Sequence, residues 1–192
     1  MNQPSPEITD AQHLIQQGLG RCLLRIQQYE KLLKRVVAHI SVEGSVEAIL
    51  KLQQDKVDAV QNKTLGQLIR VLTDGYLAAS EPAEVDEPPT DQASWVRFQS
   101  RMLLSEERYQ KTKSALSELV SLRNLLVHHF IDRFDLWSLD GCREAQAFLQ
   151  ESFELVAGHH LELIEWATSM DEARHQLHSA ALDFLDGYDH TL

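Results

Sequence analysis

Residues 119–134 read LVSLRNLLVHHFIDRF, and this stretch decides the fold class. At about 100° per residue, its apolar side chains cover nearly every direction around a helix axis. These side chains are Leu119, Val120, Leu122, Leu125, Leu126, Val127, Phe130, Ile131 and Phe134. A helix that is apolar all round is a buried helix. The stretch therefore predicts the second half of a long helix, opened by Ser105, that is covered by a bundle core or by a second subunit.

Arg123, Asn124, His128 and His129 are the polar exceptions in this helix. Burying a guanidinium without a partner costs several kcal/mol, so Arg123 is expected to be paired or to serve a ligand. Asn124, His128 and Asp132 follow one another at intervals of four residues, which predicts one polar stripe. Arg123 lies about 140° away from His128 around an α-helix. Its side chain must therefore curl round the helix, or meet the stripe of another molecule across a symmetric interface.

Arginine, asparagine and histidine together suit phosphoryl chemistry. An imidazole can take or give a proton near neutral pH, and a guanidinium can stabilise the negative charge that grows on phosphorus. The natural reaction is attack of an RNA 2′-hydroxyl on the adjacent phosphate, which leaves a 2′,3′-cyclic phosphate and requires no metal. The pattern equally allows a structural role, in which Arg123 pairs with an acid on a neighbouring helix and His128 is a hydrogen-bonded core residue.

The chain before the central helix predicts further helices. Apolar residues recur every three or four positions over about 7–39, which indicates a long first helix. Thr64 opens a short helix from Leu65 to about Tyr76. Between these two helices, Ser45 can cap a further helix. That helix carries Ile49, Leu50, Val57 and Val60.

The regions that flank the central helix are less regular. Residues 80–94 (SEPAEVDEPPTDQAS) hold three of the five prolines and predict an exposed acidic loop. Residues 95–104 could be extended or helical. Residues 135–141 predict a break between helices. Within it, Ser138 or Asp140 can cap the next helix, which extends to Trp166. A final amphipathic piece is expected at 170–185.

Strand signals are too weak to support a sheet. The whole chain, residues 1–192, is therefore expected to be a single all-α domain, a bundle of about five to six helices with long central ones.

The charge distribution restricts the kinds of partner. A net charge of −11 argues against a broad nucleic-acid-binding surface, because phosphate contacts need clustered Lys and Arg. The charge is uneven, however: five basic residues and one acid occupy 21–35, whereas ten acids and one base occupy 144–192. A small site for an anion remains compatible with this distribution, and the acidic C-terminal quarter could receive a basic partner.

The cysteines and the hydropathy indicate the compartment. Cys22 and Cys142 lie inside apolar patterns with no partner spacing, so they are expected to be small buried thiols in a reducing environment. No run approaches the roughly 20 apolar residues that cross a bilayer. The N-terminus, MNQPSPEITD, lacks the pattern of a signal peptide. We therefore expect a cytoplasmic protein with no membrane partner.

The central helix resembles the HEPN superfamily, helical domains marked by Arg, a polar residue and, after three more positions, His. The match is RNLLVH, residues 123–128, on the penultimate long helix. The resemblance implies a HEPN-like helical fold and a metal-independent endoribonuclease that needs no cofactor, of the kind found in toxin–antitoxin, antiphage and CRISPR systems. It further implies a homodimer with both motifs in one cleft, RNA as the substrate, and an antitoxin or regulatory protein as a further partner.

The same resemblance implies a role for each residue of the motif. His128 would be the general acid and base, Arg123 the anchor of the transition state, and Asn124 the orienting polar residue. One position departs from a branch of the family: toxins silenced by nucleotidyltransferase partners carry Tyr two residues beyond the His, where this chain has Phe130. Silencing by AMP transfer to that tyrosine is therefore not implied.

Two other functions remain open from the sequence. Some HEPN domains are non-catalytic, so the alternative is a helical dimer that binds a nucleotide or a partner protein. A third hypothesis is a metal-dependent helical-bundle hydrolase. It would use the pair His159–His160, or His175 and His178 with Asp171, but these supply too few convergent ligands for the three or four that a metal site requires.

Overall fold

The computed structural model describes residues 5–45, 47–80 and 95–189, and most of these residues are helical. The helices are α1 Pro6–Ala38, α2 Ile49–Gln61, α3 Leu65–Gly75, α4 Glu106–Asn124, α5 Phe130–Arg133 and α6 Leu139–Asp189. Between α4 and α5, Leu125–His129 form a single π-helical turn, called the π-turn below. The predicted all-α bundle with long helices is confirmed.

Helices α1 and α6 lie side by side and run in the same direction. Three hydrogen-bonded contacts mark their register: Ala11 with Gln146, Arg25 with His160, and His39 with Arg174. In each contact the two residues are 135 positions apart in the sequence. Because both helices rise by about 1.5 Å per residue, a constant separation means that they stay in register along this length.

The core lies between this helix pair and the shorter helices. Side chains from α1, α3, α4 and α6 meet there with no exposed surface or almost none. Examples are Leu33, Leu68, Leu119, Val156 and Leu163. Cys22 and Cys142 are also fully buried and are not joined in a disulfide, as the sequence predicted.

The central helix is not buried all round, so that prediction is wrong for the single chain. Leu126 and Phe130 are buried, but Val127 is 45% exposed and Ile131 is 78% exposed. The reason is that α3, α1 and α6 cover only one side of this helix. Its other side carries the predicted polar residues together with these exposed aliphatic ones.

Short strands are present, contrary to the expectation of no sheet. The strand β1 Ser41–Ser45 pairs antiparallel with β3 Trp95–Gln99, and β2 Leu77–Ala78 pairs parallel with β4 Met102–Leu103. The strands have two to five residues, too few for an alternating pattern to stand out. The ambiguous stretch 95–104 is therefore extended.

The predicted start of the second helix is also wrong. Ser45 belongs to β1, and α2 begins at Ile49 after Ala48, with no side-chain cap. Leu50 points outward and is 82% exposed. By contrast, Thr64 caps α3 as predicted, in a reciprocal pair with Gln67. The predicted acidic loop at 80–94 lies outside the described residues, apart from exposed Ser80.

Helix α6 continues for 51 residues without the interruption expected near residue 170. Its first turn is tightly built, because the Oγ of Ser138 accepts a hydrogen bond from the Gly141 amide at 3.1 Å. A Cβ at Gly141 would lie 2.1 Å from the carbonyl oxygen of Asp135, so only glycine fits there. None of the helices in the described part of the chain has a stretch long and apolar enough to span a bilayer.

The packing of α1 on α6 gives a test of the core. We expect Leu33→Ala to lower the free energy of unfolding by about 2–5 kcal/mol, because it opens a cavity at a fully buried position. Leu24→Ala, on the same helix but 61% exposed, should change it by less than about 0.5 kcal/mol. Urea titrations followed by circular dichroism measure both, and equal losses in the two variants would contradict the packing described.

Candidate functional site

The π-turn brings Arg123 and His128 together. In a π-helical turn the backbone hydrogen bonds join residues five apart, in place of four in an α-helix. Arg123 and His128 are five apart, so the wider turn places them on the same side of the helix. The angle of about 140° expected for a regular α-helix is therefore wrong, and the two side chains meet within one molecule.

The three residues of the motif form one cluster of polar atoms. The Nη1 atom of Arg123 lies 3.3 Å from Oδ1 of Asn124 and 3.4 Å from Nε2 of His128. Arg123 is half-buried, whereas Asn124 and His128 are exposed. The cluster thus lies at the surface, with its guanidinium partly withdrawn from water.

The contact fixes which nitrogen of His128 carries the proton when the ring is neutral. A guanidinium only donates hydrogen bonds, so Nε2 of His128 must accept from Arg123. The proton of the neutral ring then lies on Nδ1. In this arrangement the lone pair of Nε2 faces the guanidinium of Arg123.

The sequence left open a structural role, with Arg123 paired to an acid and His128 in the core, and the structure shows neither feature among the residues it describes. Within the described ranges, Arg123 forms no ion pair with a carboxylate. His128 is exposed and not part of the core; its ring makes an edge contact with His129 at 6.2 Å between centroids. Asp132, the third member of the predicted stripe, is exposed and stands one turn further along.

An apolar cavity lies between α1 and the segment that follows the π-turn, and the sequence did not reveal it. Its volume is about 370 Å³, and its walls come from α1, α5 and the turn that follows. Ile131 and Trp137 line it, and they are 78% and 73% exposed. The only signal in the sequence was the apolar character of these two residues: helix periodicity assigned Ile131 to a buried helix, and Trp137 fell in the predicted break.

The competing histidines have structural surroundings. His159 lies against the edge of the Tyr29 ring and 4.0 Å from Glu162, and burial lowers its pKa. His160 accepts from Arg25 at 3.1 Å, and its pKa is lowered by burial and by that guanidinium. Burial raises the pKa of Tyr29 and of Glu162.

A metal centre built on these histidines finds no support in the geometry. Among the residues that the structure describes, no group of three or more His, Cys, Asp or Glu side chains is arranged to hold a metal ion. The side chain of His178 lies outside the described residues. His159 and His160 point to different partners, one towards Tyr29 and the other towards Arg25.

No protein-family model, curated protein or solved structure matches this chain. The resemblance to the HEPN superfamily therefore stays a prediction that rests on residues 123–128 and on their helical setting.

The half-buried His159 predicts a dependence of stability on pH. Because the pKa of His159 is lower in the folded state than in the unfolded chain, its stabilising effect is complete above about pH 6.5 and is lost as the pH falls. We expect His159→Gln to reduce the loss of unfolding free energy between about pH 7 and pH 5. Denaturant titrations at several pH values, on the variant and on the wild type, give the two slopes. Equal slopes would show that His159 is not the group responsible.

Proposed function

We propose that this chain is a metal-independent endoribonuclease of the HEPN type, with Arg123, Asn124 and His128 as its site. The observation that carries the proposal is the 3.4 Å contact between Nη1 of Arg123 and Nε2 of His128 on an exposed π-turn. Single π-turns inside α-helices occur frequently at functional sites. Here the turn places an anion-binding guanidinium beside a proton-transfer group.

The chemistry begins when a phosphate of RNA takes over the guanidinium of Arg123. The hydrogen bond to His128 then breaks, and Nε2 is free to take the proton of the 2′-hydroxyl. The 2′-oxygen forms a bond to phosphorus while the bond from phosphorus to the 5′-oxygen breaks. The 5′-oxygen leaves as a hydroxyl after receiving a proton, and the other product ends in a 2′,3′-cyclic phosphate. The guanidinium stabilises the charge on the non-bridging oxygens throughout.

Asn124 holds the guanidinium in position. Its Oδ1 accepts from the same nitrogen of Arg123 that faces His128, so it restricts where the guanidinium can go. An exposed arginine without this contact would lose more conformational freedom on binding a phosphate. Asn124 is thus a positioning residue in this mechanism.

A second copy of the chain would complete the site. Val127 and Ile131 flank His128 on the exposed side of the helix, and they are 45% and 78% exposed. Aliphatic side chains next to polar ones on an open helix face suit a self-complementary interface. Two copies packed through this face bring two His128 rings together, so that one imidazole serves as the base and the other as the acid.

The residue two positions after the motif, Phe130, bears on how such an enzyme would be controlled. Phe130 is buried and packs against Phe134 with ring centroids 5.1 Å apart. It has neither the hydroxyl group nor the exposure needed for AMP transfer. An antitoxin or regulator, as in toxin and antiphage systems, would therefore act by contact, and the acidic C-terminal quarter suits a basic partner.

Cleavage of mixed RNA in EDTA tests the site. We expect His128→Ala to lower the rate about 10²- to 10⁴-fold because it removes the proton-transfer group. Arg123→Ala should lower it about 10²- to 10³-fold because it removes the charge on the phosphate. Cyclic-phosphate ends on the products would identify the 2′-hydroxyl as the nucleophile.

His175→Ala and Arg143→Ala are the matched controls, since both residues are exposed on α6 and neither belongs to the cluster. They should cut RNA at close to the wild-type rate. A wild type that cuts neither mixed RNA nor tRNA would favour the non-catalytic dimer. Full activity in both Arg123→Ala and His128→Ala would place the active site elsewhere.

The interface gives a separate prediction. We expect Ile131→Glu to shift the chain towards the monomer, because it puts a charge into the centre of the apolar face. Leu50→Glu adds the same charge at a position that is 82% exposed on α2, and should leave the oligomeric state unchanged. Sedimentation velocity at several concentrations measures both. A wild type that stays monomeric at high concentration would rule out this interface.

A further inference from the structure

A row of arginines follows the open side of the α1–α6 pair. Around α1, the directions of Arg21, Arg25 and Arg35 each lie within about 40° of their common mean, so the three residues share one face of that helix. Arg174 of α6 lies beside the end of the row, where its Nη2 donates to the carbonyl of His39 at 2.7 Å. These four residues are called the arginine seam below.

Most of the seam is held in place by aromatic rings and by single hydrogen bonds. Arg21 and Arg25 both lie over the ring of Phe153, with 4.6 and 5.6 Å from each Cζ to the ring centroid. Arg174 lies over Phe98 at 5.0 Å. Stacking uses the flat face of a guanidinium and leaves most of its N–H donors free. The seam therefore presents positive charges that are positioned but not neutralised.

Carboxylates are scarce along this face. Across the described parts of the chain, none of the four arginines forms an ion pair. Asp171 is the acid that shares a cavity of about 270 Å³ with Arg35 and Arg174. Four arginines against one acid, three of the four held by rings or hydrogen bonds, stand out in a chain whose net charge is −11. Such a surface attracts a ligand with several negative charges.

We propose that the arginine seam binds the phosphate backbone of single-stranded RNA, as a second contact for the RNA cut at the π-turn. This inference rests on the proposed function for the identity of the anion. Arg21 and Arg35 are fourteen residues apart, about 21 Å along the helix, which allows contacts with several phosphates in succession. Guanidinium forks are well suited to phosphate oxygens.

The seam lies on α1, the helix that also contacts the π-turn. Gln12 and Gln16 of α1 line the cavity shared with Ile131 and Trp137, and Arg21 follows them by five to nine residues. This spacing corresponds to about 8–14 Å along α1. Gln12 lies about 180° from Arg21 around the helix, so a strand that leaves the site must pass round α1 to reach the seam. A flexible single strand can follow that path, whereas a stiff duplex cannot.

Charges beside the seam argue against a membrane as the anionic partner. Phe153 and Asp171 mark the side of α6 that faces the seam. Glu154 and Glu172 are exposed on α6, and each lies about 100° round the helix from that side. A flat anionic bilayer that reached the arginines would also meet these carboxylates and be repelled. A single strand of RNA can follow the arginines along the pair and avoid these carboxylates.

The test is RNA binding measured with cleavage switched off. In a His128→Ala background, we compare Arg21→Gln/Arg35→Gln with Lys51→Gln/Lys111→Gln, which removes two exposed charges elsewhere. Fluorescence anisotropy with a labelled single-stranded RNA of mixed sequence gives the affinity at several salt concentrations. The seam variant should bind on the order of tenfold more weakly, and its log–log salt slope should be about 1.4 shallower, since each phosphate contact contributes about 0.7.

The control variant should bind close to the parent. Equal weakening in the two variants would mean that only net charge matters, and no weakening in either would mean that the seam does not bind RNA. Either result overturns the seam. Binding to vesicles of anionic phospholipid in the absence of RNA binding also overturns it. RNA cleavage by the wild type is scored separately. Binding that depends on the seam, without cleavage, would reject the proposed function and keep the seam. Cleavage together with binding that does not depend on the seam would keep the proposed function and reject the seam.

Discussion

The parallel contact between α1 and α6 is the constraint on which the rest of the structure depends. The same sequence separation, 135 residues, recurs at Gln146, His160 and Arg174 of α6, so one register holds from one end of the pair to the other. Because the helices run in the same direction, the chain between them must return along the pair. Helices α2 to α4 are this return path, and they close the core on one side only. The other side of the pair stays open and displays the arginine seam.

The π-turn depends on the same frame. Leu126 and Phe130 are both buried, and they fix the helix to the core before and after His128. The Nε2 of Gln12 on α1 donates to the carbonyl of Leu136 at 2.9 Å, which fixes the chain just beyond α5. Anchored at these points, the segment accommodates one extra residue by widening a turn towards solvent. A wide turn has weaker hydrogen-bond geometry than an α-helix and persists where its surroundings determine it. The same widening produces the contact between Arg123 and His128.

The sequence predicted the parts of the fold that regular periodicity and caps determine. The long first helix, the Thr64 cap and the Ser138 cap all follow from local patterns, and all are present. The strands were missed because so few residues form them, and Ser45 was taken for a cap although its strand partner, Trp95, lies 50 residues away. The candidate site residues were visible in the sequence, but it left open whether Arg123 meets His128 within one molecule or across an interface. That contact depends on a π-turn, which an assumption of regular α-helical geometry cannot produce.

An acidic chain that acts on RNA must gather its positive charge where a phosphate is needed. Lysine is poorly suited to this, because its ammonium is a mobile point charge on a flexible stem. Arginine can be fixed on aromatic rings and amide oxygens and still offer free N–H groups, and it occupies both proposed anion sites here. At the π-turn Asn124 orients the guanidinium, and along the seam Phe153 and Phe98 do so. Since like charges elsewhere repel RNA over about a Debye length, roughly 8 Å at physiological salt, the proposed binding would be confined to these two places. In this proposal, selectivity for a strand that reaches both sites would follow from the distance between the π-turn and the seam, without base contacts.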